Sequence, residues 1–136
     1  MFYTGRQPDG NYSGDFPAQI AFDEQTMQRG HQRFEVYCTP CHGYSGRGDG
    51  MVARHADRLQ EGTWVTPTSI HEARVQAQPV GELFNSITHG VRNMPAYGHL
   101  IGDADRWAII MYVRALQRSQ AADKSDIPAE ILPTLQ

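Results

Sequence analysis

Cys38-Thr39-Pro40-Cys41-His42 constrains this chain more than any other stretch, because it uses both of the cysteines present. Cys-x-x-Cys-His is the spacing of a covalent haem attachment site. Each thiol adds across one porphyrin vinyl group and leaves a thioether. The histidine that follows then lies under the ring, facing the iron. Haem iron held by one proximal histidine takes a sixth ligand or stays open. The remainder of the sequence is therefore read for that ligand and for the walls of the group.

The chain has 136 residues, enough for one domain with arms. No run approaches the ~18 apolar residues of a membrane span. A net charge of −3 gives no support for a nucleic-acid partner. Among the 12 basic residues the only lysine is Lys124. Arginine suits fixed, bidentate contacts with carboxylates, haem propionates included. Met1-Phe2-Tyr3-Thr4-Gly5-Arg6 lacks the charged and apolar regions of a leader. Covalent haem attachment takes place outside the cytoplasmic membrane, so a removed leader is expected. A purely cytoplasmic protein is the competing reading.

Residues 1–22 are rich in Gly, Pro, Asn, Asp and aromatics, a composition for turns and extended chain. Such an arm is either loose or anchored through Tyr3, Tyr12, Phe16, Ile20 and Phe22. Asp23 is a good N-cap, and Phe22 and Met27 stand at the positions of a hydrophobic staple. Met27, Gly30, Phe34 and Tyr37 or Cys38 recur at helical spacing. Gly30 costs about 1 kcal/mol against alanine there; close approach of another helix explains it. Residues 43–78 read as loop with one short helix in Met51–Leu59. The glycines of 43–50 are not a phosphate loop, since no Gly-Lys-Ser/Thr follows. A helix fits Pro79 to His89, stopped by Gly90. The last helix runs from Asp103, as its cap, to about Gln117, with Trp107, Ala108, Met111, Tyr112, Ala115 and Leu116 on its apolar face. The division is an extended N-terminal arm (1–22), a haem domain (23–118) and a C-terminal tail (119–136), docked or loose. The class is all-α: three to four helices and long loops around one haem. So small a domain depends on the haem for its core, and the apo-form is expected to fold poorly.

Met94 is the expected sixth ligand. It lies in a loop, off any helical stripe, and Pro95 forces it into extended geometry. His89 and His99 flank it as a bis-His fallback. Met27 and Met111 fall on helix faces and read as core, whereas Met51 is a further possibility. His31, His55 and His71 read as ordinary histidines. A Met/His pair raises the potential and closes the iron to substrates, which makes this an electron-transfer protein and not an enzyme by itself. A thiol oxidoreductase lacks its strand-then-helix setting, and a zinc site lacks a second ligand pair. A haem sensor or peroxidase-like enzyme requires Met94 to be lost or displaced.

These residues, with Gly30 and Phe34 on the first helix and Trp107 and Tyr112 on the last, resemble a class I c-type cytochrome over about residues 23–118. Tyr37 to Gly43, Gly46-Arg47-Gly48-Asp49-Gly50-Met51-Val52, Pro79-Val80-Gly81, Asp105 to Ile109 and Tyr112 to Gln117 narrow the likeness. Together with Phe2-Tyr3-Thr4-Gly5 they resemble the monohaem cytochrome subunit of alternative complex III, a bacterial quinol:electron-acceptor oxidoreductase. The resemblance implies one covalent haem c and partner subunits of a membrane quinol-oxidising complex. It also implies a soluble electron carrier or oxidase as acceptor, on the periplasmic side of the bacterial cytoplasmic membrane. Membrane association then comes through partners or a missing N-terminal anchor. A free soluble periplasmic carrier is the alternative. By resemblance, Pro67 offers its carbonyl to His42. Trp64, Tyr97, Arg47, Arg54 and Arg92 are candidates for propionate contacts. Ile70, Leu83, Phe84, Ile87, Tyr97 and Leu100 are candidate haem walls.

Overall fold

Asp23 starts the first helix as its sequence predicts, its carboxylate accepting from the Thr26 N–H at 2.8 Å. The structure, a computed structural model, describes residues 1–60 and 62–135. Glu61, inside the segment read as loop, and Gln136, at the end of the tail, lie outside the described residues. The order is α1 (Glu24–Tyr37), α2 (Thr39–His42), α3 (Met51–Leu59), α4 (Ala73–Gln76), α5 (Val80–His89) and α6 (Asp103–Gln120). Among the described residues there is no strand, only isolated bridges at Arg6–Tyr12 and Val91–Met94. The all-α class I fold holds, with more helices than the three or four expected. The added ones, α2 and α4, are single turns too short to leave a periodic pattern.

α1 and α6 form the frame. A Cβ on Gly30 would lie 2.0 Å from the Ala108 carbonyl oxygen and 3.2 Å from Tyr112 Cβ. The missing side chain is thus what lets the two backbones touch. Phe34 meets Tyr112 with ring centroids 5.3 Å apart. Arg29 donates to both oxygens of Asp105 at 2.7 and 2.8 Å, tying the start of α6 to α1.

The cap of α6 differs from expectation. Gly102 is the cap residue and supplies no side-chain bond. Asp103 instead pairs with Arg106, which is only 5% exposed and also donates to Thr88 Oγ1. A buried guanidinium needs a counter-charge, and Asp103 serves that need in place of capping.

The N-terminal arm is docked. The Trp107 indole N–H donates to the Phe2 carbonyl at 2.8 Å, and Trp107 stacks on Phe84 at 4.4 Å. Phe16 meets Trp107 at 5.8 Å, and Phe2, Phe16 and Ile20 cover the cluster of Val80, Phe84, Trp107 and Ile110. The arm's backbone also joins α5: Gly81 N–H donates to the Ser13 carbonyl, and Ser13 N–H to the Gly5 carbonyl, both at 2.9 Å. A Cβ on Gly81 would sit 1.9 Å from Gly5 O. Phe84, a candidate haem wall, therefore belongs to the arm side of the core. Trp107→Phe should lower stability by about 1–2 kcal/mol through the orphaned Phe2 carbonyl. Hydrogen exchange at the Gly81 and Ser13 amides should quicken; unchanged protection there would show that the arm is held by other means.

Beyond α6 the tail turns through 3-10 helices at Lys124–Asp126 and Leu132–Leu135. Arg118 Nε donates to Asp126 at 2.9 Å, drawing the first of them back against the helix end.

Candidate haem site

The Cys-x-x-Cys-His stretch is a helical turn set directly on the end of α1. Cys38 N–H still donates to Phe34 O at 2.8 Å, and His42 N–H donates to Cys38 O at 2.8 Å. Pro40 falls in the first turn of α2, where its missing N–H is harmless. Thr39 Oγ1 donates to the Glu35 carbonyl at 2.6 Å and stitches the two helices together. Both cysteines and His42 thus project from one short, pinned turn.

Burial governs the chemistry of this turn. It pushes the Cys38 thiol up to about 12, with Cys41 adding to the rise, and it raises Cys41 as well. A thiol poised for disulfide exchange shows the opposite displacement, toward easy ionisation. Burial also lowers the His42 pKa, favouring the neutral imidazole that ligates iron, and the Thr68 backbone carbonyl partly opposes it. His42 Nδ1 is buried with no partner at ordinary hydrogen-bond geometry. A buried ring nitrogen short of a full partner, beside two neutral thiols of attachment spacing, fits a covalent haem.

Pro67, the carbonyl expected to face His42, turns its oxygen to Gly48 instead, 2.2 Å from where a Cβ there would stand.

Met94 lies in a tight loop after α5. Val91 and Met94 exchange backbone hydrogen bonds of 3.1 and 2.9 Å around Arg92, which has φ 51°. Asn93 Nδ2 donates to the Thr63 carbonyl at 2.7 Å. Further on, Tyr97 N–H donates to Ile87 O at 2.9 Å and Gly98 N–H to Thr88 O at 3.1 Å, folding the loop back along α5. The Tyr97 phenol is raised by burial, then by the nearby sulfurs of Cys41 and Cys38. The loop that carries Met94 therefore returns to face the attachment turn.

The other expected contacts are scattered. The Trp64 indole has one donor, and it goes to Asp57 Oδ1 at 2.6 Å; that takes Trp64 away from a propionate. Arg47 is exposed and donates to Gln120 Oε1 at 2.7 Å, and Arg54 and Arg92 are exposed. Ile70 is buried, Leu83 and Ile87 are half-buried between the two core clusters, and Leu100 is largely exposed. Met51 is 77% exposed, Met111 is buried in α6, and His89 and His99 are exposed. His31 stacks on Tyr112 at 4.7 Å, and His71 Nε2 lies 2.6 Å from the Ser45 carbonyl.

Sequence reasoning missed Gln117, which is buried and donates to the Ile70 carbonyl at 2.7 Å. The signal was present: a polar residue on the stripe of Ile110 and Val113.

No curated protein matches the sequence. A chain of the reducing HAO-like protein complex of Kuenenia stuttgartiensis is similar in structure, with a TM-score of 0.59 and 24% identity. The likeness covers 82% of this chain, which spans about half (51%) of the length of that one. A family model described as cytochrome c oxidase, cbb3-type, subunit III matches residues 25–113. That match begins inside α1, takes in the whole attachment turn and the Met94 loop, and ends inside α6. The chain therefore belongs to the cytochrome c oxidase, cbb3-type, subunit III family, as a c-type cytochrome domain that binds haem c covalently and transfers electrons.

Proposed function

We propose that this chain is the monohaem cytochrome subunit of a membrane quinol-oxidising complex of the alternative complex III type. It relays electrons on the periplasmic side to a soluble carrier or terminal oxidase. Cys38 and Cys41 would hold the haem by thioethers, and His42 and Met94 would ligate its iron. When bound, haem c supplies a one-electron iron couple. The observation that carries this reading is the return of the Met94 loop onto the attachment turn: the Tyr97 ring meets Tyr37 at 6.4 Å and packs on the same core cluster as Cys38. Elimination supports Met94, since Met51, His89 and His99 lie at the surface and Met111 sits within the helix core. His42 is kept neutral by burial and so keeps a lone pair for the iron.

Membership of a complex is supported by the large apolar residues left at the surface, among them Tyr3, Phe22, Tyr44 and Met51. The described residues include no helix long and apolar enough to cross a membrane, so partners or an anchor would hold the domain there. A free soluble periplasmic carrier is the second reading, favoured by an arm whose order comes from its own domain. Purification from detergent-solubilised membranes, with intact mass and an optical spectrum, separates these. Co-migration with quinol-oxidising subunits and one covalent haem mass is the expected result. Recovery from the periplasmic fraction alone favours the free carrier, and co-migration with oxidase subunits alone overturns the quinol-oxidising assignment.

A further inference from the structure

Gly50 joins the attachment turn to α3. Its N–H donates to the Cys41 carbonyl at 3.0 Å, and a Cβ there would lie 2.3 Å from the Pro40 carbonyl oxygen. α3 therefore starts in backbone contact with the turn that carries both cysteines. Near its other end, Asp57 Oδ1 accepts from the Trp64 indole N–H at 2.6 Å and from Thr66 Oγ1 at 2.8 Å. Bonds to a carboxylate are charge-assisted and stronger than bonds between neutral groups. They draw segment 63–66 back onto α3, and the two together form a strap. Thr63, at the start of that segment, offers its carbonyl to Asn93, whose Nδ2 donates to it at 2.7 Å.

The far half of the Met94 loop is fixed along α5 by the N–H groups of Tyr97 and Gly98. The near half has less to hold it. Val91 and Met94 bond to each other. Among the described residues, the Asn93 bond is the one hydrogen bond from 91–96 to a segment outside the loop. It acts one residue from Met94, where successive Cα atoms are about 3.8 Å apart. Packing does not replace it, because Asn93, Thr63, Trp64, Leu59 and Ala56 line a cavity of about 220 Å³. Space on that side leaves the hydrogen bond to keep the loop in place.

We propose that Asn93 is a positioning residue for the distal ligand: through the Thr63 carbonyl it ties the Met94 loop to the strap that Asp57 closes, and so limits how often Met94 leaves the iron. The proposal rests on the reading of Met94 as an axial ligand. An added ligand binds only while Met94 is away, so its apparent Kd falls in proportion as that fraction grows.

The test titrates imidazole into the ferric, haem-loaded protein and follows the weak far-red band. Asn93→Ala should tighten the apparent imidazole affinity about fivefold, which converts to about 1 kcal/mol, the net worth of one hydrogen bond. Asn93 is exposed, so its unfolding midpoint should stay near that of wild type. Asp57→Ala leaves Asn93 intact but frees Trp64 and Thr66, and should tighten the affinity in the same direction. The double variant should tighten it by less than the product of the two single effects, because both changes cut one strap. Trp107→Phe is the control: it loses stability on the arm side without touching the strap and should keep the wild-type affinity. Wild-type imidazole affinity in Asn93→Ala overturns the proposal. An equal tightening in Trp107→Phe also overturns it, since the effect would then follow global stability. A double variant that reaches the full product overturns the role given to Asp57. Failure of the ligand reading looks different: the far-red band would be missing from wild type or kept in Met94→Ala.

Discussion

Gly30→Val is expected to cost about 3 kcal/mol or more in stability. The reasoning is geometric. The nearest atom to a Cβ at position 30 is the Ala108 carbonyl oxygen, 2.0 Å away, and the next is that residue's carbonyl carbon at 2.6 Å. Both belong to helical backbone and cannot rotate aside. The helices must separate, and every contact along the α1–α6 seam loosens with them. Inserting atoms into a tight interior typically costs about 1–3 kcal/mol when side chains can give; here backbone must give. Alanine would recover about 1 kcal/mol of helix propensity over glycine and still clash. Against a total of about 5–15 kcal/mol for a domain, the loss is severe. Gly14→Ala is the contrast, because nothing lies within 4 Å of its Cβ, and it should stay within about 0.5 kcal/mol of wild type. Guanidinium titration of the haem-loaded protein by far-ultraviolet circular dichroism measures both. Equal midpoints for the two variants would mean that α1 and α6 do not meet at Gly30.

That contact was legible before any coordinates, because a glycine in a helix interior asks for a reason and close approach is the commonest. The helices were legible on the same footing: α1, α5 and α6 carry long periodic stripes, and their ends fall within a few residues of those read from capping chemistry. What escaped was set by partners far apart in sequence. The Gly5–Gly81 contact is an example. Phe2-Tyr3-Thr4-Gly5 and Pro79-Val80-Gly81 read as two separate matches, yet in space they are one contact between arm and helix. Asp103 fails as a cap for a similar reason, since the buried Arg106 lies on its own helix but owes its burial to Thr88 and Phe84. At the site, the attachment turn could be read from spacing alone. The layer around it could not. That the Pro67 carbonyl meets Gly48 and not His42 depends on how a loop without periodicity threads between Gly46 and Gln117. Trp64 and Arg47 likewise follow partners, Asp57 nearby and Gln120 far along the chain, that no motif announces.

Met94→Ala should abolish the weak far-red band of the ferric protein and lower the potential. The ratio of reduced to oxidised protein at a fixed potential should fall by at least about a hundredfold, roughly 120 mV for one electron. Two properties of the thioether set the sign. It is a soft, neutral donor that favours ferrous over ferric iron, and it fills the position that exogenous ligands need. Its loss therefore favours the ferric state and opens a site, so the variant should also bind added imidazole or azide where wild type resists. The fold should suffer less than in Gly30→Val. The Val91–Met94 turn is closed by backbone hydrogen bonds, and Asn93 tethers it to Thr63, none of which uses the Met94 side chain. The alternatives give separable outcomes. Persistence of the band in Met94→Ala with its loss in Met51→Ala would move the ligand to α3. A wild-type spectrum without the band, altered by His99→Ala, would indicate a bis-His site. Either would place Met94 among residues that only shape the loop and would remove the basis for reading this domain as a high-potential relay.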